Sequence, residues 1–154
     1  MSGHRRTALI TGASAGIGAT FARFLAAQGY DLVLVARRVE RLNELAKELN
    51  QQFGIKSYVF AADLTDKQAP TAIMAFVKEQ GVVIDMLINN AGLSGKTAFA
   101  DTPWQDLANE IQLMITAVTE LAYRVIPYMK QQGWGRIINL SSLAAFSPPG
   151  ASLL

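Results

Sequence analysis

Thr11-Gly12-Ala13-Ser14-Ala15-Gly16-Ile17-Gly18 follows directly on the apolar run Ala8-Leu9-Ile10 and opens a helix-patterned stretch. A strand that ends at Thr11 must reverse tightly and hand over to a helix. Three glycines relieve the steric limits on that path, and the first N–H groups of the helix then point at whatever sits in the bend. The chemistry this offers is anion binding, and the expected ligand is a dinucleotide. Backbone amides around Ser14, Ala15, Gly16 and Ile17 would meet its pyrophosphate, while Gly18 would let the helix lie close to the sheet. The spacing Gly-x-x-x-Gly-x-Gly differs from the commoner Gly-x-Gly-x-x-Gly. Taken alone it is also compatible with a glycine-rich turn that binds nothing.

The elements that would hold this turn are legible in the hydrophobic pattern. Short continuous apolar runs alternate with helical spacing, the form taken by a parallel sheet covered on both faces. Strands are expected near Thr7 to Thr11, Asp31 to Ala36, Ser57 to Ala61, Met86 to Asn89 and Arg136 to Leu140. The first helix is expected from about Gly16 to Gln28, stopped by Gly29 as a left-handed cap. The second carries Leu42, Leu45, Ala46 and Leu49 on one stripe, opposite Glu44, Lys47 and Glu48. Asp66 is placed to cap a third helix that ends near Gly81. Thr102 followed by Pro103 suits a helix start, because proline at the first helical position loses no needed N–H.

This fourth helix is expected to reach about Met129. It is apolar around much of its circumference, at Ile111, Ile115, Val118, Leu121, Val125 and Ile126. Such a helix wants two covers. The sheet supplies one; a second copy of the chain or a neighbouring helix supplies the other, and association into a homo-oligomer is the expectation. Ser147-Pro148-Pro149-Gly150 looks like a loop.

Bulk properties narrow the function. With 154 residues, 51% of them apolar, the whole chain 1–154 is expected to form one domain. Fourteen basic against twelve acidic residues leave a formal charge of +2, which implies no nucleic-acid partner. His4, Arg5 and Arg6 serve as a solvated lead-in to the first strand. No apolar run approaches the roughly 18 residues of a membrane span, and glycines interrupt any secretory pattern at the start. A cytoplasmic location is the default. The absence of cysteine excludes disulfides and thiolate chemistry, and a single histidine makes a histidine-based metal site or nucleophile–base pair improbable.

Thr11-Gly12-x-x-x-Gly16-x-Gly18 on the first strand-to-helix turn occurs together with Asn89-Asn90-Ala91-Gly92 after the fourth strand. Asp63-Leu64 follows the third, and Ile137-Ile138-Asn139-Leu140-Ser141-Ser142 the fifth. This ordered set resembles the short-chain dehydrogenase/reductase family. The resemblance implies an α/β fold, a Rossmann-like doubly wound parallel sheet in three α/β/α layers, here truncated after the fifth strand. Asp63 would accept a hydrogen bond from the adenine amino group and Leu64 would cover the ring; the alternative for Asp63 is a helix cap. Asn90, Ala91 and Gly92 lie where the backbone can approach a ribose. Asn89 is expected to tie neighbouring strands through its amide rather than to bind ligand.

Cofactor choice turns on the end of the second strand, where NAD-preferring proteins hold a carboxylate for the ribose 2′-hydroxyl. Ala36 stands there, followed by Arg37 and Arg38. Guanidinium groups beside a missing acid favour a 2′-phosphate, so NADP is expected. Solvated charge at a helix start is the alternative for these arginines.

In the family, hydride passes between the nicotinamide and a carbonyl or alcohol carbon, and Ser142 aligns with the serine that polarises the carbonyl oxygen. The proton-transferring tyrosine, with a lysine four residues later, should follow Ser142 by about thirteen residues, one step beyond Leu154. Tyr30, Tyr58, Tyr123 and Tyr128 are followed four places on by Leu34, Ala62, Pro127 and Gln132, so no Tyr-x-x-x-Lys stands elsewhere. An asparagine that orders a relay water is replaced by Met114, which cannot hold water as an amide can. The expected function is thus NADP(H)-dependent conversion of a small carbonyl or alcohol substrate by the parent enzyme, with this chain its cofactor-binding part, inactive alone. A non-catalytic dinucleotide-binding or interaction module is the alternative.

Overall fold

A computed structural model describes residues 5–93 and 99–146. Five parallel strands form one sheet in the order β3-β2-β1-β4-β5. These are β1 (Thr7–Thr11), β2 (Asp31–Ala36), β3 (Ser57–Ala61), β4 (Met86–Asn89) and β5 (Arg136–Asn139). Every residue of β1 is buried, as the central strand of a sheet covered on both faces must be.

Side chains alternate between two cores because successive Cβ atoms of a strand point to opposite faces. Ala8, Ile10, Leu32, Leu34 and Ile88 pack with residues of α1 (Gly16–Ala27) and α2 (Val39–Phe53). Leu9, Val33, Val35 and Leu87 pack with α3 (Ala69–Glu79) and α5 (Ala117–Gln132). The three-layer doubly wound architecture is therefore as expected. The chain winds outward from β1 through β2 to β3, then crosses back to pair β4 with the other side of β1. That reversal opens a crevice at the carboxyl ends of β1 and β4, the place where doubly wound sheets receive ligands.

Several expected boundaries shift. Asp66 does not cap α3: its Oδ1 accepts from the Gln68 amide at 2.8 Å, and its carbonyl accepts from Ala69, so it shapes the turn before the helix. Pro103 precedes the first helical residue instead of occupying it; its ψ of 140° is extended. The fourth helix is two α segments, α4 (Trp104–Ile111) and α5, joined through a π-helical turn at Gln112–Thr116. The widened turn carries both Gln112 and Leu113 into buried positions. The helix then runs past Met129 to Gln132, where Gly133 at φ 69° caps it. β5 ends at Asn139, although the Leu140 amide still bonds the Asn89 carbonyl at 2.9 Å.

Ile111, Ile115 and Ile126 stay exposed on the outer helix face, which has no second cover among the described residues. β5 is an edge strand with Ile138 partly bare. The loop expected at Ser147 to Gly150 lies outside the described residues. Among those described, no helix is long and apolar enough to cross a membrane.

Candidate functional site

The turn after β1 is built for close approach of backbone. Gly12 and Gly16 take φ of 67° and 55°, which a Cβ disfavours. A Cβ on Gly12 would also lie 2.9 Å from Ala91 Cα, and one on Gly18 would strike the Gly12 carbonyl and the Asn90 side-chain amide. The glycines therefore bring the start of α1 against the end of β4. The Ala13 amide bonds the Val35 carbonyl at 3.2 Å, fixing the turn to β2 as well. Ala15, at the head of α1, offers no side-chain cap, and the first turn carries no acid. The first N–H groups of α1 therefore have no side-chain cap, the condition a helix end must meet to receive an anion.

A residue not singled out from sequence proves central here. The Thr11 hydroxyl accepts from the Asn90 amide at 3.0 Å and the Ala91 amide at 3.1 Å, and donates to the Ile88 carbonyl at 3.4 Å. The Asn90 side chain in turn donates to the Thr11 and Gly12 carbonyls at 3.0 and 3.2 Å. Asn90 thus spends its amide on the turn, leaving the half-buried Ala91 and exposed Gly92 as the surface at the β4 end. Asn89 donates to Asn139 Oδ1 at 2.9 Å, joining β4 to β5.

The two arginines point to different partners. Arg38 donates through Nε and Nη2 to Ser14 Oγ at 3.3 and 3.0 Å, reaching across the crevice to the glycine turn. Arg37 Nη1 stands 3.8 Å from Asp63 Oδ2 at the end of β3. Asp63 Oδ1 accepts from the Thr65 amide and hydroxyl at 3.0 and 2.9 Å. Partial burial pushes the Asp63 carboxyl up, but Thr65 and the Arg37 guanidinium together pull it below its ordinary value. It is a carboxylate throughout the neutral range, held by its own turn and not by a helix cap.

These parts enclose a groove of about 340 Å³. Gly12, Ser14, Ala15 and Ile17 line it from the turn, Arg37 and Arg38 from β2, Asp63 and Leu64 from β3, and Asn90, Ala91 and Gly92 from β4. Gly16 and Gly18 shape the turn without lining the groove. Leu93 and Leu113 close the β4 end. Sequence reasoning missed Leu113, which the π turn delivers. Ser142 does not line the groove; it sits exposed three residues past β5, at the same carboxyl edge. Met114 is half-buried against the core shared by α3 and α5. Among the described residues no group of acids or histidine is placed to hold a metal.

Known proteins share both the fold and the motifs. The family described as short chain dehydrogenase matches residues 6–152. A short-chain dehydrogenase from Sphingobium yanoikuyae, solved in complex with NADPH, is 41% identical with a TM-score of 0.86, covering 93% of this chain and 56% of its own. L-sorbose reductase from Gluconobacter frateurii, complexed with NADPH and L-sorbose, superposes with a TM-score of 0.91 at 32% identity, over 97% of this chain and 57% of its own. The fatty acyl-CoA reductase of Acinetobacter baylyi is 37% identical over 144 residues, 92% of this chain and 48% of that protein. The chain spans about half the length of these relatives. Matched over nearly all of its length, it belongs to the short-chain dehydrogenase/reductase family of oxidoreductases.

Proposed function

We propose that residues 1–154 form an NADP-binding domain whose groove takes NADP(H), and that the parent activity is hydride transfer between this cofactor and a carbonyl or alcohol substrate. The carrying observation is Arg38 stretched over the glycine turn to Ser14, at a strand end where Ala36 leaves no competing acid. The groove fits the cofactor on its own geometry. A diphosphate needs bare backbone N–H groups and a backbone clear of side-chain bulk: no side chain caps the head of α1, and nothing lies within 4 Å of where a Cβ on Gly16 would stand. The amides of Ser14 to Ile17 hold the pyrophosphate, Asp63 and Leu64 the adenine, and the backbone at Asn90, Ala91 and Gly92 a ribose. Arg38 with Ser14 holds the 2′-phosphate, and Arg37 adds positive charge beside it. When bound, the nicotinamide supplies the hydride. Ser142 orients the substrate oxygen by donating a hydrogen bond.

Titration of NADPH and NADH fluorescence tests this. The chain should favour NADPH, and Arg38→Ala should cut the NADPH/NADH affinity ratio at least about tenfold, since bonds to charged groups contribute about 1.5–3 kcal/mol. Arg37→Ala, already engaged with Asp63, should cut it less. Unchanged ratios in both variants would remove the assignment.

A second reading, a dinucleotide-binding module without chemistry, is favoured by Met114 at the relay position. Under either reading these residues alone should consume no NADPH with a panel of ketones and aldehydes. We also infer that copies of the chain associate. The outer face of α4 and α5 offers the exposed isoleucines Ile111, Ile115 and Ile126. Light scattering should show mass rising with concentration, and Ile115→Lys should lower it; a monodisperse monomer at high concentration would contradict the idea.

A further inference from the structure

Asp63 stands two residues before Thr65, just past the end of β3, at the spacing where a short acidic side chain can bond the backbone further along its own turn. Here that bond is doubled. Oδ1 accepts from the Thr65 amide at 3.0 Å and from the Thr65 hydroxyl at 2.9 Å, so both donors of one residue converge on one oxygen. Among the described residues no hydrogen bond reaches the other oxygen. The Arg37 guanidinium faces it, but Nη1 lies 3.8 Å from Oδ2. That is about 1 Å longer than a direct charge-assisted bond. Arg37, Asp63 and Leu64 all line the groove where β2 and β3 end, with buried Leu64 supplying apolar surface beside the carboxylate.

A carboxylate can only accept hydrogen bonds, and holding it in one place turns that property into a choice between purines. An exocyclic amino group donates to a fixed acceptor, whereas a ring oxygen at the same position repels it. A carboxylate free to turn loses the distinction, because it can also accept from the N1–H of a 6-oxopurine or swing onto Arg37. We propose that Thr65 is a positioning residue for base selectivity: by pinning Oδ1 of Asp63 it leaves Oδ2 as a fixed acceptor for the amino group of a 6-aminopurine, to the exclusion of 6-oxopurines. This rests on the NADP(H) reading of the groove.

The test uses the 154-residue protein and two reduced coenzymes that differ only in the base, NADPH and its hypoxanthine analogue, titrated by nicotinamide fluorescence. The parent should favour NADPH at least about tenfold, the factor carried by one hydrogen bond to a charged group. Thr65→Val keeps the shape and the amide but loses the hydroxyl, and should bring the ratio to within about threefold. Thr65→Ser should restore it. A purely structural loss would weaken both coenzymes alike and leave the ratio unmoved. Asp63→Asn should reverse the preference, because the Thr65 amide retains the side-chain oxygen and turns the NH₂ toward the base. Equal affinity of the parent for both coenzymes, a parental ratio in Thr65→Val, or an Asp63→Asn variant that still prefers NADPH overturns the role of Thr65 and leaves the cofactor reading standing. Absence of NADPH binding by the parent overturns the cofactor reading, and the base selectivity falls with it.

Discussion

Gly18→Ala should lower NADPH affinity by about a hundredfold and destabilise the chain by about 1–3 kcal/mol, the usual range for an added methyl in a packed interior. The new methyl would meet the Gly12 carbonyl on one side and the Asn90 side-chain amide on the other. Neither is the loose end of a flexible side chain. Gly12 is held by its positive φ, and Asn90 by its bonds to the Thr11 and Gly12 carbonyls. Relief requires α1 to lift away from β4, which moves the N–H groups at the head of the helix off the diphosphate. Urea unfolding and NADPH fluorescence measure the two effects separately. Gly54→Ala is the contrasting control: its φ of 65° puts on the new side chain a backbone strain that helical Gly18 does not carry, but nothing lies within 4 Å of the added methyl. It should lose stability without losing cofactor affinity, and equal affinity losses in both variants would refute the steric argument.

Thr11→Val is expected to cost about 2–4 kcal/mol, more than most single changes of equal shape, since a buried donor left without an acceptor costs about 1–3 kcal/mol. Valine fills the same space but accepts no hydrogen bond, leaving the Asn90 and Ala91 amides without the hydroxyl they share. Thr11→Ser keeps the oxygen and should recover most of the loss. Urea unfolding gives the energies, and hydrogen exchange gives the location: the Asn90 and Ala91 amides should exchange faster in the valine variant and at near-native rates in the serine one. A valine variant as stable as the parent would show that these amides find other acceptors.

Strand positions were legible because each strand is a short apolar run bracketed by helical spacing, and a sheet covered on both faces demands that pattern. The glycine turn was legible for a related reason: a backbone that must reverse and approach another leaves its mark in residue type. Thr11 left no such mark. A threonine at the end of a strand is ordinary, and its significance comes from amides 79 and 80 residues away that only the β1–β4 pairing brings near. Asn90 was read as part of a ribose-facing backbone, whereas its side chain serves the turn, for the same long-range reason.

Arg37 and Arg38 looked equivalent side by side, yet adjacent residues at a strand end project to different sides. One meets Asp63 and the other Ser14. The π turn was not legible either, because Gln112 to Thr116 carries neither glycine nor proline to announce a change of helical pitch. Helix ends slipped by a few residues at the start of α3, where Gln68 and not Asp66 precedes the first helical residue, and at the end of α5, which runs on to Gln132.

Arg38 is tethered before any phosphate arrives. A free arginine side chain surrenders about 2 kcal/mol of rotational freedom when a ligand pins it, and the two bonds to Ser14 Oγ have already taken much of that freedom away. On the NADP(H) reading proposed above, recognition of the extra phosphate is then a property of the serine as much as of the cation: a groove with the same charge but an untethered guanidinium would hold that cofactor more loosely and release it sooner.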